Sequence, residues 1–181
     1  MCGIVGYIGA EDGVPLLMEG LKRLEYRGYD SAGIAVINGQ SRLQVVRCRG
    51  KIASLEARLR EEPMEGTVGI AHTRWATHGK PCDENAHPHR SGPFVVVHNG
   101  IIENYSEIKQ DLTGKGCFFS SETDTEVIVR LADFEWRSGK EPVKAIRDAL
   151  RQLRGSYAVV FLNELNPDEL IASRNESPLI L

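Results

Sequence analysis

Cysteine is scarce and scattered in this sequence: four residues, at 2, 48, 82 and 117, with no C-x-x-C unit. That excludes a disulfide framework and leaves four thiols to be read singly. Long apolar runs are missing as well. No stretch approaches the ~20 residues a membrane-crossing helix requires, and the opening MCGIVGYIG lacks the basic and long apolar regions of a secretory signal. No basic run stands out, and 22 Lys and Arg against 25 Asp and Glu leave a net charge of −3. Nothing electrostatic therefore calls for nucleic acid or an anionic lipid surface as a partner. Repeats, low-complexity segments and linkers are absent. The reading is a cytoplasmic protein with no membrane and no nucleic-acid partner.

What is present suffices for one compact domain: 181 residues, 41% of them apolar. Periodicity predicts strands at 3–8, 34–37, 43–46, 68–71, 94–97, 157–162 and 169–172, with a hairpin turn at Asn38-Gly39. Apolar spacing predicts helices at 13–24, 125–137 and 142–153. Strands come in runs rather than in strict alternation with helices, which argues for an α+β layered fold. Residues 178–181 read as a further strand with no polar cap, as in a domain cut short at its C-terminus.

Cys2 carries the most chemistry. Removal of Met1 would leave a free α-amine beside the thiol, two groups whose proton affinities lie close together. The amine can then serve as the base that activates the thiol. A cysteine in second place is by itself more often a small buried hydrophobe opening a strand. Three further segments bear on the choice: HTRWATHG at 72–79, HNG at 98–100 and ETDTE at 122–126. Each has an ordinary reading. Arg74 could be a surface cation and Trp75 a core aromatic, Asn99-Gly100 a turn, and Thr123 with Glu126 a capping box that leaves Asp124 in the first turn of a helix. His72, His78, Cys82, His87 and His89 could on paper bind zinc, but their spacing matches no zinc motif. No metal and no cofactor is expected.

Taken together, MCGIVG, RGYDSAG (27–33), HTRWATHGKPCDENAHPH (72–89) and HNGIIENY (98–105) resemble the class II, N-terminal-nucleophile glutamine amidotransferases. Within that family they are most similar to the glutaminase domain of the glucosamine-6-phosphate synthase branch, along residues 2–181. The resemblance implies a four-layer αββα sandwich and hydrolysis of L-glutamine at Cys2. It implies an oxyanion hole from Asn99 and Gly100, with Arg74 and Asp124 holding the substrate's carboxylate and ammonium. Thr77 and His78 would line the pocket, and Trp75 and Arg27 would stand at its edge or at the exit for ammonia. It also implies further residues of the same domain beyond 181, a sugar-phosphate isomerase domain acting on fructose 6-phosphate, and a homodimer. The alternatives are a domain that binds glutamine or a partner without hydrolysing it, and the glutaminase of another amidotransferase. His87 has no role in this reading.

Overall fold

The computed structural model describes residues 2–76 and 79–181. Among the described residues eight strands form two antiparallel sheets. The first is built from β1 (Gly3–Ile8), β2 (Ser31–Ile37), β3 (Leu43–Arg49) and β4 (Val68–Arg74), in the spatial order β1-β4-β2-β3. The second holds β5 (His89–Ser91), β6 (Phe94–Gly100), β7 (Tyr157–Asn163) and β8 (Leu170–Asn175), in sequential order. Helices α1 (Gly13–Leu24) and α2 (Ile52–Glu61) cover the first sheet. α3 (Tyr105–Gly114), α4 (Glu126–Arg137) and α5 (Pro142–Leu150) cover the second.

Strand alternation explains the layering. On β2, Ala32, Ile34 and Val36 face α1 and α2, whereas Ala35 and Ile37 face the other sheet. On β6, Phe94 and Val96 pack under α4 while Val95 and Val97 turn to the first sheet. β7 repeats this with Val159 and Phe161 outward, Val160 and Leu162 inward. A strand buried on both faces reads as a continuous apolar run rather than an alternating one. Three apolar layers result, and the αββα sandwich expected from the resemblance is the architecture found.

Several boundaries differ from expectation. β4 and β6 run three residues beyond their apolar stretches, so His72-Thr73-Arg74 and His98-Asn99-Gly100 are strand residues rather than loops that follow strands. Neighbours supply that burial, which the segments' own polarity hides. The hairpin at Asn38-Gly39 is a five-residue connection, since Ile37 pairs with Leu43. Asn38 Oδ1 accepts from the backbone N–H of Gln40 and of Arg42, and the positive φ falls on Ser41. The helix predicted at 142–153 ends at Leu150. Residues 178–181 form no strand; Ile180 and Leu181 lie fully exposed. Elements α2, α3 and β5 went unpredicted. α2 and α3 bury only one or two residues each, and β5 is the polar tripeptide His-Arg-Ser.

At Gly33 the segments that frame the site approach closely. A Cβ there would lie 2.1 Å from the His87 carbonyl oxygen and 2.7 Å from Arg47 Cβ. Both obstacles belong to main chain or to its first side-chain atom and have little room to yield. Gly33→Ala is expected to destabilise the fold by about 1–3 kcal/mol, read as a lowered denaturation midpoint at unchanged m-value.

Candidate active site

The site lies where β4 and β6 pass the apolar layer and turn polar. Antiparallel pairing sets Gly3 opposite Thr73, which brings Cys2 to the end of β4. There the Trp75 N–H donates to Cys2 Sγ at 3.2 Å, and Sγ lies 3.5 Å from the Trp75 carbonyl. Burial pushes the Cys2 thiol above its ordinary pKa, and the Trp75 bond, then nearby positive charge, pull it partly back. The resting thiol is accordingly protonated at neutral pH and needs a base.

Cys2, Arg74, Trp75, Gly100 and Asp124 line one narrow cleft. His87, His98, Thr123 and Thr125 line it with them. Arg74 is almost wholly buried, donates to the Gly79 carbonyl at 3.1 Å, and has its pKa lowered by burial. Asp124, also buried, accepts from the Ile102 N–H at 2.9 Å, so it precedes α4 rather than forming its first turn. The capping box is half made. Thr123 Oγ1 accepts from the Glu126 N–H, but the Glu126 carboxylate accepts from the N–H groups of Ser120 and Ser121 instead of returning to Thr123. Asn99 points its Nδ2 at the Cys2 carbonyl, 3.4 Å away. Gly100 takes φ +126°, and a Cβ there would meet the Ser156 carbonyl at 2.1 Å, so no other residue fits.

Trp75 is 43% exposed and meets Tyr29 edge-on, with ring centroids 5.4 Å apart. Arg27 sits in a single 3₁₀ turn, Glu25–Arg27, and does not line the cleft. Its neighbours brace the cleft from outside. Thr73 Oγ1 donates to the Gly28 carbonyl, and Asp30 Oδ2 accepts from the Ala76 N–H at 2.8 Å. Thr77 and His78 lie outside the described residues.

Sequence reading missed the polar wall behind the cleft. His72, His87, His89 and His98 are all buried and chained to Thr123 and Thr125. Asn85 bolts the loop at 79–88 to the loop before α4, accepting from the Glu122 N–H at 2.8 Å and donating to Lys80 O and Glu122 Oε2. The signal was present as four histidines within two of the quoted strings, but their burial depends on strands from both sheets. Among the described residues no group of three His, Cys, Asp or Glu is placed to hold a metal ion. None of the helices is long and apolar enough to cross a membrane, among the residues searched. A larger cavity of about 320 Å³ lies beyond His89. Its charged groups are engaged: Arg47 with the Ala86 and Pro88 carbonyls, Arg90 with Glu164, and Glu126 with Arg130.

The comparisons with known proteins decide the family. The model of the glutamine amidotransferase domain matches residues 72–180. The chain belongs to the glutamine amidotransferase domain family. This amidotransferase domain is 51% identical, over 181 residues, to the glutamine–fructose-6-phosphate aminotransferase (isomerizing) of Haemophilus influenzae, and 50% identical to that of Escherichia coli. Both matches take in the whole chain but only 30% of the relative's length. Among solved structures, the glutamine phosphoribosylpyrophosphate amidotransferase of B. subtilis superposes with a TM-score of 0.82 at 29% identity, over 97% of this chain and 37% of that one. A glutamine aminotransferase class-II domain protein of Silicibacter pomeroyi, at 19% identity and TM-score 0.53, shares the fold.

The buried imidazoles set a pH dependence. Burial drives His72 and His89 down from 6.5 to about 3, and His87 well below its ordinary value. The unfolded chain binds these protons near pH 6.5 and the folded chain does not until far lower, so stability rises with pH across that window and falls on acidification. One such histidine costs about 2 kcal/mol between pH 6.5 and 5. Chemical denaturation is expected to show falling stability from pH 6.5 to 5, with more than one proton taken up on unfolding at pH 5.

Proposed function

We propose that the chain hydrolyses L-glutamine to L-glutamate and ammonia through a thioester on Cys2. The observation that carries this reading is the cleft itself. A partly buried thiol, a buried cation (Arg74), a buried carboxylate (Asp124) and the Asn99-Gly100 pair come from four remote segments to one place.

With Met1 removed, Cys2 carries a free α-amine, a type of group that ordinarily titrates at about 7.7–8.0, and this amine takes the thiol proton as Sγ attacks the side-chain amide carbon. Charge moves to the amide oxygen, where the Asn99 side-chain N–H and the Gly100 backbone N–H receive it. Such donors act on charge that exists only in the transition state, and each is worth about 10²–10³ in rate. The amine returns the proton to the departing nitrogen, ammonia leaves, and water then cleaves the thioester. Arg74 forms a forked pair with the substrate's α-carboxylate and Asp124 pairs with its α-ammonium, so the amino-acid end is read by two opposite charges. Trp75 and Arg27 stand at the edge of the pocket. No cofactor enters this chemistry.

Residues 2–181 thus constitute a type 2 glutamine amidotransferase domain. In the full-length protein its ammonia passes to a sugar-phosphate isomerase domain that converts fructose 6-phosphate to glucosamine 6-phosphate, within a cytoplasmic homodimer. The relatives' name and their greater length support the fructose 6-phosphate acceptor and the further domain.

Intact mass after treatment with an electrophilic glutamine analogue tests the glutaminase reading. The expected result is a chain lacking Met1 with one adduct, blocked by excess glutamine and absent in Cys2→Ala. A processed chain that stays unmodified would instead favour a domain that binds without hydrolysis. For Arg74→Lys, loss of the fork is expected to raise KM for glutamine about 10- to 100-fold, in line with ~1.5–3 kcal/mol for a charged hydrogen bond, measured by steady-state ammonia release.

A further inference from the structure

One backbone carbonyl dictates the direction of every hydrogen bond in the row of rings behind Cys2. The His98 carbonyl oxygen can only accept, and His72 Nε2 lies 3.0 Å from it, so Nε2 carries the His72 proton. In a neutral ring Nδ1 is then bare. His87 Nδ1 sits 3.0 Å from that atom, and the single proton between them belongs to His87. His87 Nε2 therefore accepts the Thr125 hydroxyl at 2.7 Å, and Thr125 Oγ1 accepts the His98 Nδ1–H at 2.9 Å. Burial keeps the His72 and His87 rings neutral. An added proton on His72 would set two N–H groups head-on between the two Nδ1 atoms, and one on His87 would put an N–H where Nε2 now accepts from Thr125.

The same His72 Nε2–H faces Asn99 Oδ1 at 3.1 Å. With its oxygen held there, the amide must turn Nδ2 to the opposite side, where it reaches the Cys2 carbonyl. A flipped amide would face N–H against N–H at His72 and oxygen against oxygen at Cys2. We propose that His72 is a positioning residue for glutamine hydrolysis: its Nε2–H fixes the rotamer in which Asn99 offers its N–H to the oxyanion, and the His98 carbonyl fixes the tautomer of His72, with the His87 Nδ1–H on its other nitrogen. This rests on the reading of Cys2 as nucleophile and Asn99 as oxyanion donor. His72 touches no substrate; it acts through Asn99.

Two measurements on the processed chain test it. Long-range ¹⁵N–¹H spectra of the histidine rings, which need no activity, should show His72 protonated on Nε2 and His87 on Nδ1. A His72 protonated on Nδ1 overturns the proposal outright. Kinetics supply the second test. His72→Gln keeps an N–H near the Nε2 position, whereas the shorter His72→Asn does not reach Asn99. His72→Asn is expected to lower kcat about 100-fold, the lower end of what one oxyanion donor is worth, with KM within threefold and unchanged alkylation of Cys2 by iodoacetamide, a reaction that forms no oxyanion. His72→Gln should recover most of the loss, and combining His72→Asn with Asn99→Ala should add little to Asn99→Ala alone. Equal loss in the Asn and Gln variants, a parallel loss of alkylation, or additive losses would reduce His72 to a packing residue. Absence of glutamine turnover in the unmutated processed chain would instead sink the glutaminase reading itself.

Discussion

The hydrogen bond from His72 Nε2 to the His98 carbonyl spans the gap between the two sheets, from β4 to β6. Elsewhere that gap is filled by Ile70, Val95, Val97 and Val160, which pack without preferred direction. At the polar end a buried donor and a buried carbonyl must meet each other or each go unpaired, at a cost of several kcal/mol in an apolar surround. The bond thus sets how the ends of the two sheets stand relative to one another. Cys2 heads β1, which pairs with β4, and Asn99 lies in β6, so both inherit their places from it.

Register does the rest. Gly3 opposes Thr73 on one side of β4, and Ser31 opposes Arg74 on the other. Slipping either pairing by one residue would turn the apolar faces to the wrong layers, so the three apolar layers hold the polar end in register. Close approaches then tighten it. A Cβ on Gly28 would fall 2.7 Å from the Arg74 carbonyl carbon, and a Cβ on Gly79 would fall 2.7 Å from Asn85 Nδ2. The RGYDSAG string, which opens at Arg27 beyond the cleft lining, contributes its glycines and Asp30 as scaffold.

The strands and the long helices were legible because their apolar residues recur with the right period and sit in core layers. Where burial comes from a partner rather than from the segment's own hydrophobicity, the sequence was mute: the ends of β4 and β6, the tripeptide β5, and the lightly buried α2 and α3. The proposed site shows the same division. Cys2, Arg74, Asn99, Gly100 and Asp124 could be singled out from motif strings, and the fold brings them together. His87, Asn85 and Thr125 could not be given places, and Thr123 only as a helix cap, because their further partners come from loops and strands distant in sequence. Asp124 illustrates the limit: local spacing suggested a helical first turn, whereas its carboxylate is held by the Ile102 N–H across the chain.

The raised proton affinity of Cys2 has a consequence for the protein's chemical durability. Peroxides and adventitious electrophiles attack thiolate far faster than thiol. A sulfur that burial keeps protonated, with the Trp75 N–H on one of its lone pairs, is a poor target for them. Sulfenic acid formation, and the irreversible steps beyond it, are therefore expected to be slower in the resting state than at an exposed thiolate.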